Sequence, residues 1–216
     1  MASTEIIRPF NSDAAEKAEM RVTIKSTVSG AEYEFMLKRK HIEVVQTKGK
    51  KSDKPHGKDE PADWFTGLNE EEKTQVFALI MDQYRDRSLG DNGFRGAAIG
   101  VVPEQINGQS RLFIGTNTTR WASPYFKDCA EQNMVNAATY TLAFEAVKAG
   151  KQPHPAKLKS IYIMQGVSDD VVPMACACGK CTDMLARVME NSESPVITVP
   201  LLTDALRKKF DSKVNH

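Results

Sequence analysis

The chain has 216 residues, of which 41% are apolar, and its 29 Lys and Arg nearly balance its 28 Asp and Glu, for a net charge of +1. That length supports one domain with a full core, or a core domain with a small appendage, and the charge lacks the basic excess of many nucleic-acid-binding domains. No apolar run is long enough to span a membrane, and Met1-Ala2-Ser3-Thr4-Glu5 lacks the charged start and apolar middle of a secretory signal, so a soluble, cytoplasmic protein without a membrane partner is expected.

From Met20 to Thr47 the apolar residues partly alternate, as in Val22-Thr23-Ile24 and Tyr33-Glu34-Phe35-Met36-Leu37, with Ser29-Gly30 as a turn between them. This pattern predicts two or three strands, the last at Ile42-Glu43-Val44-Val45. Lys48 to Pro61 is rich in Lys, Gly, Asp and Pro and has nothing to bury, which reads as a linker. The expected organisation is a β-rich extension at 1–47, a linker at 48–67 and a main domain at 68–216. The lysines Lys48, Lys50, Lys51, Lys54 and Lys58 could attract phosphates, although such a charged stretch is usually only solvated.

Asn69 followed by Glu72 marks a helix start, and Val76, Phe77, Ile80 and Tyr84 recur at helical spacing after it. Gly90-Asp91-Asn92-Gly93 ends that segment with a turn. Ala97 to Val102 and Leu112 to Ile114 read as an antiparallel hairpin joined through Pro103 to Gly108. Cys129 to Gly150 is apolar on most sides, with Met134, Val135, Ala138, Leu142, Phe144 and Val147, which predicts a buried central helix closed by Gly150. A strand at Ser160–Gln165, a helix at Cys178–Met189, a strand at Val196–Leu201 and a short helix at Thr203–Phe210 complete the reading. This order implies an α/β fold, a mixed sheet flanked by helices.

Three of the four cysteines crowd into Cys176-Ala177-Cys178-Gly179-Lys180-Cys181, and the fourth opens Cys129-Ala130-Glu131. Such grouping suits a metal site in a reducing compartment better than a disulfide framework. Cys178 and Cys181 alone are ambiguous between a structural knuckle, a redox pair and chance. With Cys129 they make three thiolate ligands, which leaves a zinc ion one open position for water, the arrangement of a catalytic rather than a structural site. For an isolated cysteine the better reading is a small buried hydrophobe, and Cys176 is taken as a neighbouring thiol outside the ligand set. His41, His56, His154 and His216 are remote from these motifs.

A cysteine-ligated zinc, a nearby glutamate and a downstream Cys-x-x-Cys form the signature of zinc deaminases, and the sequence resembles that cytidine deaminase-like superfamily, most closely its small cytidine deaminases with three cysteine ligands. The resemblance runs from about Leu68 to Leu201 and includes Phe94-Arg95-Gly96-Ala97-Ala98-Ile99 and Phe113-Ile114-Gly115-Thr116-Asn117, in the family's order. It implies a three-layer fold and hydrolytic deamination of a cytosine-type nucleoside or related aminated heterocycle. It implies Zn2+ held by Cys129, Cys178 and Cys181, with Glu131 carrying protons from water to the ring nitrogen and then to the departing amine. Asn117, Gly96, Ala97 and Ala130 would line the substrate site together with Thr119 and Arg120, the arginine being able to meet a phosphate or carboxylate. Two departures stand out: Thr119 replaces the carboxylate that holds the sugar in the family, and Thr182 replaces an arginine beside the ligand pair, for which Lys180 or Arg120 could substitute.

Arg120, Trp121, Tyr125 and Phe126 form an aromatic, basic stretch before the zinc motif, able to stack on a base or to pack as a core or oligomer contact. The implied partners are a small nucleoside or base and further copies of the chain, as dimer or tetramer. Deamination within single-stranded nucleic acid is the same-class alternative, and a zinc-binding scaffold without turnover is the alternative from another class.

Overall fold

The computed structural model describes residues 20–38, 41–49, 63–85, 95–106, 109–119, 127–166, 179–191 and 194–199. Three strands come first, β1 (Met20–Lys25), β2 (Glu32–Leu37) and β3 (His41–Lys48), paired antiparallel with Val22 opposite Phe35 and Phe35 opposite Val44. The turn between β1 and β2 uses Gly30 at φ +70°, a left-handed conformation that glycine adopts without steric cost.

Within the span read as a linker, Trp64–Gly67 forms a short helix, α1, capped by the Asp63 carboxylate. Trp64 is fully buried; its indole donates to the Ser110 carbonyl at 2.7 Å and its backbone N–H to the Gln109 side chain at 2.9 Å. Four residues are too few to show periodicity, so the sequence pattern could not report this helix. Residues 50–62 of the linker reading lie outside the described residues.

Helix α2 (Glu70–Arg85) starts where Asn69 and Glu72 indicate. The Asn69 side-chain oxygen accepts from the Glu72 N–H at 2.9 Å and the Glu72 carboxylate accepts from the Asn69 N–H at 3.0 Å, a reciprocal capping box. Glu72 is also buried against the first hairpin, where its other oxygen accepts from the Thr27 N–H at 2.6 Å and the Thr27 hydroxyl at 2.8 Å.

The second hairpin joins β4 (Arg95–Ile106) and β5 (Gln109–Thr116). β4 continues past Pro103 rather than ending there, because a register shift between Val102 and Gln105 accommodates the proline that has no N–H to give the ladder. Two short strands, β6 (Thr118–Thr119) and β7 (Lys127–Asp128), pair separately and lead into α3 (Ala130–Lys148). β8 (Ser160–Gly166), α4 (Gly179–Val188) and β9 (Val196–Thr198) follow. The C-terminal helix expected at Thr203–Phe210 lies outside the described residues.

The seven-stranded sheet has the order β1-β2-β3-β5-β4-β8-β9, antiparallel except for β8 with β9. This is the expected α/β architecture, a mixed sheet between helices. Alternation along each strand separates two cores. One holds Phe35, Trp64, Phe77, Ile99, Leu112 and Tyr162 beneath α1 and α2, and the other holds Ala98, Phe113, Met134, Ala138, Ile163 and Leu185 beneath α3 and α4.

α3 departs from its reading as a helix buried throughout. Met134, Val135, Ala138 and Leu142 are buried, whereas Tyr140, Phe144 and Val147 are 73%, 71% and 62% exposed. A helix with one face on a sheet presents the other outward, and here that outer face carries these three apolar residues beside the exposed Glu145 and Lys148. Gly150, at φ +69°, does close the helix: its N–H reaches the Val147 carbonyl and the Lys151 N–H the Ala146 carbonyl, a Schellman end.

Candidate metal and catalytic site

Cys129 is the N-cap of α3, and Cys181 lies in the first turn of α4. The sheet brings these two helix starts together, so that the Cys129 sulfur, a Glu131 carboxylate oxygen and the Cys181 sulfur all lie within 4.8 Å of one another. Glu131 and Cys181 are each 1% exposed, and Cys129 is half-buried. Two thiolates bound to one tetrahedral zinc at ~2.3 Å would stand roughly 3.8 Å apart, so the spacing fits such an ion. Soft sulfur donors at two positively polarised helix ends favour thiolates and a borderline-soft divalent cation.

The approach depends on glycine. Gly115 of β5 lies directly under the first turn of α3, and a Cβ there would meet the Ala130 carbonyl oxygen and the Met134 N–H nitrogen, both backbone atoms. Asn117, just beyond β5, closes the sheet beside this contact: its N–H donates to the Gly96 carbonyl at 3.2 Å and its side-chain oxygen accepts from the Gly96 N–H at 2.6 Å.

Of the residues singled out in the sequence, the structure gathers Cys129, Ala130, Glu131 and Cys181, with Asn117 and Gly96 at the adjoining strand ends. It does not bring the Ala97 side chain to them, because alternation along β4 sends that methyl into the aromatic core on the opposite face. Thr119 lies in β6, paired with Lys127. Lys180 and Thr182 are exposed on α4. Cys176, Cys178, Arg120, Trp121, Tyr125 and Phe126 lie outside the described residues.

One contact had no counterpart in the sequence reading. The Asn133 side-chain amide donates to the Thr116 carbonyl at 2.7 Å, fastening α3 to the end of β5. Its only signal was an asparagine inside an apolar helix, where that residue is intrinsically unfavourable.

No protein-family model matches the chain, and no curated protein does. Among solved structures it is similar to a point mutant of cytidine deaminase from Mycobacterium tuberculosis, at 16% identity and a TM-score of 0.35, covering 56% of this chain and 83% of that one. It is also similar to cytidine deaminase from Burkholderia pseudomallei, at 17% identity and a TM-score of 0.33, covering 53% of this chain and 75% of that one.

Proposed function

We propose that the chain is a zinc-dependent hydrolytic deaminase acting on a cytosine-type nucleoside or a related aminated heterocycle, with release of ammonia. The observation that carries this reading is the convergence of Cys129, Glu131 and Cys181 at two helix starts. Cys129 and Cys181, with Cys178 from the same Cys-x-x-Cys, would hold the zinc. When bound, zinc supplies Lewis-acid activation of water.

Glu131 takes one proton from the attacking water and delivers it to the ring nitrogen, then takes the remaining hydroxyl proton as the carbonyl forms and passes it to the departing amine, which leaves as ammonia. Its burial keeps bulk water from competing for the proton. Asn117 and Gly96 form the rim on which the substrate is oriented. The sequence has Thr119 where the resemblance implies a sugar-holding carboxylate, and a neutral hydroxyl cannot accept two charge-assisted bonds, so the enzyme discriminates weakly between ribose and deoxyribose or prefers a substrate with a different group in that space.

Self-association belongs to the same proposal. The outward apolar residues Tyr140, Phe144 and Val147 are flanked by one acidic and one basic exposed residue, Glu145 and Lys148, and the chain is close to neutral overall, so two copies carry no large like-charge repulsion. Each aromatic side chain among the three would contribute about 150 Å² to a contact, a substantial core for an interface of standard size.

Ammonia release measured across nucleosides, free bases and cytosine-containing oligonucleotides tests the reaction, alongside zinc content of the wild type and of Cys129→Ser, Cys178→Ser and Cys181→Ser. About one zinc per chain, lost in these variants, and turnover of a free nucleoside or base are expected. Zinc without turnover of any compound would assign a scaffold instead, and turnover of oligonucleotides alone would assign a nucleic-acid deaminase.

A further inference from the structure

We infer that Asn133 is a positioning residue, one whose side chain sets the register between the helix start bearing Cys129 and Glu131 and the strand ends bearing Asn117 and Gly96. The inference rests on the proposed roles of Cys129 and Glu131. Asn133 grips both partners. Its backbone N–H donates to the Cys129 carbonyl at 3.0 Å, and its amide donates to the Thr116 carbonyl at 2.7 Å. A carbonyl can only accept, so the amide nitrogen must face Thr116, which fixes the side-chain orientation.

The need for this bond follows from Gly115. Backbone-to-backbone contact over a glycine brings α3 close to β5, but it offers no side chain to interlock with the helix. Dispersion contacts are individually weak and non-directional, so a smooth contact of that kind resists separation more than it resists sliding. A hydrogen bond at 2.7 Å is directional and tolerates little displacement. Thr116 is the last residue of β5, and the next residue, Asn117, is bonded twice to Gly96. Asn133 thereby ties the helix to a strand end that is itself fastened to β4. Proton transfer is sensitive to displacements well below 1 Å, and the bond acts on that scale.

Asn133→Leu removes the bond while keeping the side chain's approximate size. The expected result is a folded protein, by circular dichroism, that keeps one metal per chain and loses about 10- to 100-fold in kcat with KM changed less than about threefold. After replacement of zinc by Co2+, its visible d–d bands should shift relative to the wild type, because the Cys129 sulfur no longer holds its place. If Asn133→Leu fails to fold, Asn133→Ser carries the same comparison. Unchanged cobalt bands together with unchanged kcat would overturn the inference, as would activity lost only in proportion to unfolded protein. If the wild type releases no ammonia from any compound, the deaminase reading fails, while a band shift in the variant still supports Asn133 as a positioning residue and its absence overturns it. A wild type without thiolate-to-cobalt absorption overturns both.

Discussion

The two faces of the sheet are built on opposite principles. Beneath α1 and α2 the interior is aromatic: Trp64 meets Phe35, Phe65 and Phe77 edge-on at 5.5–5.8 Å between ring centres, and Phe77 meets Tyr162 at 4.5 Å. Beneath α3 larger side chains such as Phe113, Met134 and Ile163 alternate with small ones, Ala98, Gly100 and Gly115 from the strands and Ala130, Ala137 and Ala138 from the helix. Large rings bury area and dominate stability. Small residues bury less but let backbone approach backbone, which brings the Cys129 and Glu131 end of α3 against the sheet. Bulk and positional definition are thus assigned to different sides of the same strands.

The sharpest test of this division is a crossed comparison. Glu131→Gln should lower turnover by ~10²–10⁴-fold with zinc content and unfolding midpoint close to wild type. Trp64→Ala should cost about 3–5 kcal/mol in denaturant unfolding while the folded fraction keeps its kcat. Turnover that survives in Glu131→Gln, or a kcat that collapses in folded Trp64→Ala, would break the assignment.

The site face can be probed more finely with two glycines. The three atoms nearest a Cβ on Gly100 would all belong to side chains, two from the Met134 thioether and Leu158 Cδ2, and these can move, so Gly100→Ala should cost about 1–3 kcal/mol and leave metal content intact. Gly115→Ala presses on helix backbone instead and should displace the start of α3. Metal analysis of both variants is the check, with loss expected in Gly115→Ala alone.

The smallest effect belongs to pH. Burial, followed by the Glu70 carboxylate to which its hydroxyl donates at 3.0 Å, raises the Tyr162 pKa above the ordinary phenol value, and burial raises that of Tyr33 as well. A raised folded-state pKa gives stability that is complete below the unfolded phenol pKa of about 10 and is lost as pH climbs above it. Unfolding midpoints should therefore fall above about pH 10, and Tyr162→Phe should fall less steeply over that range.

How far the sequence disclosed this molecule follows the range of the interactions involved. The Asn69–Glu72 cap was legible because both partners are three residues apart, and the α2 face because its apolar residues repeat at helical spacing. Cys129, Glu131 and Cys181 were legible because few other reasons place those residue types in that pattern. The pairing of β3 with β5 was not, since Ile42 and Leu112 share no local signal. Nor was the exposure of Phe144 and Val147, because a helix with apolar residues on most sides gives little clue to which side meets the sheet. Asn133 acts on a carbonyl, and main-chain acceptors carry no sequence identity.

The Glu72 carboxylate, which accepts from Asn69 on one side and from Thr27, 45 residues away, on the other, also bears on how the protein opens. Breaking either set leaves one oxygen of a buried carboxylate without those donors, which makes it costly for the first hairpin or the start of α2 to fray by itself. Their amides should exchange with solvent through one shared opening event, with a common free energy at Thr27 and Glu72. The strands that precede Trp64 would then report, in hydrogen-exchange rates, on the same cooperative unit as the helix behind them.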